Sequence, residues 1–435
     1  MSAEIIIDVL LLMGLLIIGV PVPFCFAAAA LFLFLTGDYG GSNFLVAAGF
    51  NKTSSIILLA MPLFILVGEI MSTGSLAARL VDFCDSIFGR LKGGLGVVVI
   101  VVTAVFGAIS GTASSAVAAM GTIMVPRLVE RGYDRGYAAA LVAASSVLAL
   151  LIPPSSAQIV YGWISGTSIA ACFLAPIVPA FLLMGLFSVW NFVLTRKMPI
   201  VQPEAVGIRE AVKDIGHKGR RATLGLVMPV VILTSIYGGL ATPTEAAAIA
   251  VVYALIVGVI IYRDIPLKEL WRIGYTAGTT VGVVMVLVFF AVMLSRLYTM
   301  ENVPQSVVNL LLSISQDRIV LLLLINVFLI VLGMIMDDFS GLLLATPMLL
   351  PVIRELDIHP VHFAAIIGVN LGMGNITPPT APLLYFGARI GKTRLEGMLK
   401  PTLILVLFAY LPVLMLTTFI PELSLWLPRL VLGIN

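Results

Sequence analysis

Charge is what this 435-residue sequence has least of: 11% of its residues are Asp, Glu, Lys or Arg and 60% are hydrophobic, where an ordinary soluble domain is roughly a quarter charged. That balance excludes a water-soluble globular fold and makes lipid the main solvent. Cysteine and histidine are scarcer still, three of each. Cys25, Cys84 and Cys172 stand singly in or beside apolar segments, without the paired spacing of a disulfide framework or a zinc site. They read as small core residues. His217, His359 and His362 are too scattered for a metal cluster, so no transition metal and no organic cofactor is expected. No hydrophilic stretch is long enough to form a second domain.

Long apolar runs are what the sequence has instead, separated by short charged loops, and a mean hydropathy of +1.13 agrees. This is the pattern of an all-α integral membrane protein, a polytopic helical bundle. The first apolar stretch, residues 5–35, is too long for a signal-peptide core and lacks a basic start; Pro21 and Pro23 are expected to break it. The formal charge of +3 is uninformative, but its placement is not. Twenty of the 25 Lys and Arg lie in five loops, at 79–92, 127–135, 196–221, 263–272 and 389–400, leaving only Lys52, Arg296, Arg318, Arg354 and Arg429 elsewhere. Cytoplasmic loops collect Lys and Arg, so the five loops are expected on one side. The stretch 196–222 reads as a solvated, orientation-setting linker and not as a nucleic-acid site.

The chain also repeats itself, a common construction in secondary transporters. At an offset of 225 residues, Pro126 falls on Pro351, Glu130 on Glu355, Pro153 and Pro154 on Pro378 and Pro379, Gly162 on Gly387, Gly166 on Gly391 and Pro176 on Pro401. Each copy holds an interrupted apolar stretch. Residues 94–109 and 113–125 flank Ser110-Gly111-Thr112, and 319–336 and 339–352 flank Asp337-Asp338. At 1.5 Å per residue the arms of the first pair cover about 20 to 25 Å, short of a roughly 30 Å hydrocarbon core. Such arms read as a re-entrant hairpin. A helix broken at its middle follows each hairpin, at Pro153-Pro154-Ser155-Ser156 and at Thr377-Pro378-Pro379-Thr380.

Five crossings are counted between the hairpins, at 137–164, 169–195, 223–239, 244–262 and 275–297. An odd number inverts the second copy. The expected layout is one membrane transport domain over 1–435, with inverted repeats at about 54–195 and 275–420, the linker at 196–222 and scaffold helices at 223–262.

Where two hairpin tips and two breaks converge, helix N-termini attract anions and carbonyl-rich C-termini attract cations. The polar residues there are Ser110, Thr112, Ser114 and Ser115; Ser155, Ser156 and Gln158; Asp337, Asp338 and Ser340; and Asn370, Asn375, Thr377 and Thr380. Hydroxyls, amides and bare carbonyls are hard oxygen ligands, and sodium fits them. A single Ser in a membrane helix more often bonds its own backbone. Unwound backbone at that depth, however, persists only in a cavity lining or buried in protein. Asp337 is the sharpest residue, an ionisable group where charge is expensive; it either binds substrate or ion, or caps the arm that follows. Glu69 reads as structural, and Thr242-Pro243-Thr244-Glu245 has capping-box spacing.

The sequence resembles the large membrane subunit of the tripartite ATP-independent periplasmic (TRAP) transporters, from the dicarboxylate-permease group. The resemblance runs through MPLFILVGEIMSTG at 61–74, FGAISGTASS at 106–115, RGYD at 131–134, IPPS at 152–155, TPTEAAA at 242–248, LGMIMD at 332–337, HPVHF at 359–363 and TPP at 377–379. It implies a sodium-coupled importer of organic acids in the bacterial inner membrane, multi-pass and not an enzyme, with an elevator-type exchange of access. It implies two partners: a periplasmic substrate-binding protein and a small four-helix membrane subunit, here expected as a separate chain. By position, Ser110, Gly111, Ser114 and Ser115 with Pro153 would form one sodium site. Asp338, Asn375, Thr377 and Pro378 would form the other, and Ser110, Ser155 and Asp337 would approach the substrate. The sequence departs from the family in carrying Ala149-Leu150 where Gly-Pro usually precedes the first double proline.

Three rivals are weaker or open. GARIGKT at 387–393 resembles a phosphate loop, but its glycines enclose three residues where four are needed after a strand. An intramembrane enzyme holding magnesium at Asp337-Asp338 would need a second acidic cluster, which is lacking. A self-sufficient sodium/dicarboxylate-type transporter of the same inverted architecture stays open.

Overall fold

The computed structural model describes residues 3–39, 41–202 and 207–434 of the chain, and its regular structure there is helical throughout. Among the described residues seven helices are long and apolar enough to cross a membrane, or eight if one bent pair counts as a single span.

The first apolar stretch is two helices packed on each other, α1 (Ala3–Ile18) and α2 (Val22–Thr36). Gly19, at φ 89°, makes the reversal with Pro21 behind it. Pro23, expected from the sequence to break the stretch, does not. It sits in the first turn of α2, where a missing N–H forfeits no helical bond. α3 (Asn43–Thr53) follows, then α4 (Ala60–Thr73) and α5 (Leu76–Phe88).

The first hairpin is α6 (Gly94–Ser110) and α7 (Ala113–Glu130). The broken helix after it is α8 (Arg135–Ser146), the short α9 (Leu148–Leu151) and α10 (Ser156–Ser165), bent by 40°. α11 (Ile169–Leu174) and α12 (Ile177–Thr195) complete the next crossing.

Then come α13 (Ile208–Tyr237), α14 (Pro243–Leu255), prolonged by a π-helical turn Ile256–Ile261, and α15 (Leu267–Met300). Residues 208–222 of the linker are therefore the first half of a 30-residue helix, while 203–206 lie outside the described residues. A charged segment can be helical when its charges share the solvent face. Here Lys218 pairs with Asp214 at 2.9 Å, while Gly219 and Gly225 lie against Phe83 and Leu76 of α5. α14 opens on the expected capping box, with Thr242 N donating to Glu245 at 2.7 Å and Glu245 N donating to Thr242 Oγ at 3.3 Å.

α16 (Val303–Ile314) leads to the second hairpin, α17 (Arg318–Ile335) and α18 (Asp338–Glu355). The second broken helix is α19 (Pro360–Asn375) and α20 (Pro382–Gly391), followed by α21 (Leu395–Leu405), α22 (Leu411–Phe419) and α23 (Glu422–Leu432). The hairpins are not equally enclosed. Most of α6 is buried, whereas α17 exposes Ile319, Leu323, Val327 and Val331. By length and hydropathy alone α17 passes for a full span, yet the chain turns at its end into α18.

The five basic loops are gathered at one end of the bundle. Arg127 pairs with Asp82 at 2.7 Å, Arg131 with Asp85 at 3.2 Å, Arg90 with Asp214 at 3.6 Å and Arg79 with Asp264 at 3.9 Å. Arg135 donates to Gly391 O at 3.1 Å and so joins the fifth loop. Half-exposed pairs of this kind each contribute at most about 1 kcal/mol, so they register the loops and do not hold the fold.

What holds the fold is the centre. From Gly136 to Ser146 in α8 and from Val361 to Asn375 in α19 every residue is buried. Small residues let these helices approach their neighbours closely, as transmembrane packing requires: Gly387 and Gly391 of α20 lie against Ala143 and Ala139 of α8. The arms are exchanged between halves, with α10 packing on α18 and α20 on α7. A second group, α13 on α5, α14 on α4, and α15 on α2, α3 and α4, flanks this centre.

Candidate functional site

The first hairpin turns at Gly111, which takes φ 66° and so adopts the left-handed conformation that favours glycine. Thr112 then caps α7, accepting from Ser115 N at 3.4 Å and donating to Ser115 Oγ at 2.8 Å. The tip is bonded to the first break: Ser156 N donates to Gly111 O at 3.0 Å. A Cβ on Gly111 would stand 3.0 Å from Pro154 O, so tip and break are in direct contact. Ser110 is fully buried, its Oγ 3.5 Å from Thr112 O, with Gly68 of α4 pressed against its Cβ.

Around this junction oxygens lack partners. Ser155 Oγ and Ser156 Oγ are buried and accept or donate no hydrogen bond among the described residues. Pro153 and Pro154, joined by a cis peptide, stand four residues after Ala149 and Leu150 and cannot supply the donors that those carbonyls would take in a continuous helix. Ser110, Gly111, Ser115, Pro153, Ser155 and Ser156 therefore share one region. Ser114, next to Ser115 in the first turn of α7, has its side chain exposed. Gln158 is engaged elsewhere, its Nε2 donating to Ala364 O at 3.1 Å.

The second hairpin turns at Met336 and Asp337. Asp337 caps α18, accepting from Ser340 N at 3.3 Å and from the Ser340 hydroxyl. The capping role weighed from the sequence is thus real. This tip too is tied to its break, through Asn375. With its amide turned to donate, Asn375 reaches Gly333 O at 3.1 Å and Met336 O at 3.0 Å. Asp338 Oδ2 is buried and has no hydrogen-bond partner among the described residues. Thr377 donates to Met373 O at 2.6 Å, Pro378 is half-buried beside its cis bond to Pro379, and Thr380 is exposed.

Asn370 is not part of this cluster. It donates to Asn326 Oδ1 at 2.9 Å, and Asn326 donates to Thr418 Oγ at 3.1 Å, so these side chains tie α17, α19 and α22 together. Among the described residues no hydrogen bond joins the two clusters; they are linked through the exchanged packing of α10 on α18 and α20 on α7.

One pair of residues is visible only in the structure. Each hairpin's first arm crosses its broken helix at a glycine close to the tip. A Cβ on Gly107 would lie 2.5 Å from Ala149 Cα, and one on Gly374 would lie 2.6 Å from Gly333 Cα. Gly107 and Gly333 are 226 residues apart and Ala149 and Gly374 are 225 apart, so the two crossings lie within one residue of the repeat offset. The departure at Ala149 falls at this crossing, where a methyl group replaces the hydrogen of its counterpart.

As a chemical set, the two clusters offer hydroxyl, carbonyl and carboxylate oxygens with no soft ligand. Buried unpartnered oxygens of this type suit an alkali cation and are costly left bare. The residues present fit sodium.

Residues 9–423 match the family described as tripartite ATP-independent periplasmic transporter, DctM component. The chain is 32% identical over 421 residues to the sialic acid TRAP transporter large permease protein SiaM of Vibrio cholerae, covering 97% of each. It is likewise 32% identical over 382 residues to the C4-dicarboxylate TRAP transporter large permease protein DctM of Pseudomonas aeruginosa, covering 87% of this chain and 88% of that one. Among solved structures it is similar to the YdaH transporter of Alcanivorax borkumensis, with a TM-score of 0.59 at 18% identity over 88% of this chain and 89% of that one. At that identity the likeness is one of fold.

Proposed function

The chain belongs to the DctM component family of the tripartite ATP-independent periplasmic transporters, and from that premise we propose that it imports a small organic acid by sodium-coupled, elevator-type movement. It is a large transport permease and not an enzyme. The observation that carries the sodium reading is the pair of junctions where a hairpin tip is bonded to a helix break beside buried, unpartnered oxygens. Sodium would sit among the oxygens of Ser110, Gly111, Ser115 and Pro153 at one junction, and of Asp338, Asn375, Thr377 and Pro378 at the other. Ser110, Ser155 and Asp337 would meet the acid between them.

The elevator reading is supported by the division of the bundle. α6 to α10 and α17 to α20 interlock through their exchanged arms and would move as one body. α13, α14 and α15, with α2 to α5, would stay as scaffold. The basic loops, gathered at one end, support a cytoplasmic position for that end by the orientation rule, and with it two inverted copies whose hairpins would enter from opposite sides. Relatives named for sialic acid and for C4-dicarboxylates point to a carboxylate substrate. The partners are a periplasmic binding protein and a small membrane subunit, and the setting is the inner membrane.

Because an inverted architecture of this kind would also suit a transporter acting alone, the test is uptake into proteoliposomes. The expected result is sodium-driven uptake of an organic acid only when all three components are present. Uptake by this chain alone at a comparable rate would reject the tripartite reading. Orientation is checked separately: a cysteine at Lys213 should be shielded in intact cells from an impermeant thiol reagent, and one at Arg318 should react.

A further inference from the structure

The five basic residues left outside the loops do not scatter over the far end of the bundle; they line two cavities. Arg318, Arg354 and Arg429 border one, and Lys52 and Arg296 border the other. On an end where the orientation rule disfavours cations, setting the topology does not explain them. The cavity of Lys52 and Arg296 has a volume of about 850 Å³ and lies between α3, α15 and α10, within the size range of small-molecule sites. Its polar lining is Asn51, Ser55, Ser295 and Thr299, its apolar wall includes Phe44 and Val292, and it contains no acidic side chain.

Both cations are exposed, and among the described residues neither forms an ion pair or side-chain hydrogen bond. Lys52 lies 5.8 Å from the ring centre of Trp163. Lys52 stands in the last turn of α3, where a cation is favoured by the dipole, whereas α15 has no basic residue in its last turn. The dipole therefore does not account for Arg296, nor for two helices aiming a cation at a single concavity.

A second, narrower space of about 180 Å³ shares Lys52, Trp163, Val292 and Ser295 with the first and continues to Leu343 and Pro347 of α18. Leu343 is five residues beyond Asp338, about 8 Å along the helix at 1.5 Å per residue. The concavity thus leads from the far end of the bundle toward the tip of the second hairpin. We propose that it is an entry vestibule for the organic acid, in which Lys52 and Arg296 draw in the carboxylate and Trp163 forms the inner wall. Facing walls of low polarity strengthen the field of both charges. The ligand class is a small mono- or dicarboxylate, and the inference rests on the reading of the chain as an organic-acid permease.

The vestibule is tested with a cysteine reporter beside both cations and replacing neither. Asn51→Cys is made in a chain whose three native cysteines, all buried, are changed to alanine, and the full three-component transporter is assembled with it. Reaction rates with an anionic and a cationic methanethiosulfonate are compared. Adding Lys52→Gln and Arg296→Gln together should lower the anionic-to-cationic rate ratio about tenfold, the lower end of what focused fields supply. Succinate or sialic acid should slow the reaction in the parent and not in the double variant, at an ionic strength matched with choline chloride. An unchanged ratio, slowing by choline chloride equal to that by the acids, or slowing only by vesicles of anionic phospholipid would each overturn the vestibule. Uptake by the parent is measured in the same preparation. If it takes up an organic acid while the reporter shows no protection, the vestibule fails and the permease reading stands. If it takes up none, the permease reading itself has failed.

Discussion

Asp337→Asn is expected to fold, to insert and to lose about 10- to 100-fold of sodium-driven uptake. The side chain does two jobs that this substitution separates. It caps α18 through Ser340, and asparagine is about as good an N-cap as aspartate, so the helix start survives. What is removed is a charge at a hairpin tip, and a contact to a charged group contributes about 1.5–3 kcal/mol, which converts to the stated range. Asp337→Ala removes the cap as well and should lower thermal stability by about 1 kcal/mol beyond the loss of transport. Transport assays alongside melting in detergent separate the two effects. Near-normal uptake by Asp337→Asn would reduce Asp337 to a capping residue.

Gly374→Ala should be strongly destabilising. The added Cβ would lie 2.6 Å from the carbonyl carbon and Cα of Gly333 and 2.6 Å from Ile330 O. All three are backbone atoms of a packed helix and have no rotamer by which to move aside. Overpacking of this kind costs about 1–3 kcal/mol. The shift would also pull Asn375 from Gly333 O and Met336 O, leaving carbonyls unpaired where no water replaces it. The expected result is a clear fall in melting temperature and in folded yield. Gly278→Ala and Gly282→Ala on α15, where nothing lies within 4 Å of the new atom, should leave both unchanged. Equal stability of all three variants would contradict the crossing.

The sequence made the breaks legible because each interrupts an otherwise continuous apolar run with residues that cannot continue a helix. Gly111 and the two proline pairs are local signals, and the structure places a turn or a cis bond at each. The common end of the five basic loops was legible for a different reason, since membrane orientation writes itself into Lys and Arg counts. Side-chain direction was not legible. Ser114 and Ser115 look alike in the sequence, but a helix turns about 100° per residue, and only Ser115 faces its cap. Asn370 and Asn375 sit five residues apart on one helix, yet one braces α17 and α22 and the other holds a hairpin tip. Choosing between them required the partner Asn326, which nothing local marks. The helical first half of α13 is hidden by its charge, which has the composition of a loop, whereas one face of it packs on α5.

The most direct measurement counts sodium against acid. With radiolabelled sodium and a labelled organic acid taken up together by the assembled transporter, two junctions predict at least two sodium ions carried per acid molecule. Uptake that proceeds equally well with choline in place of sodium would contradict the account.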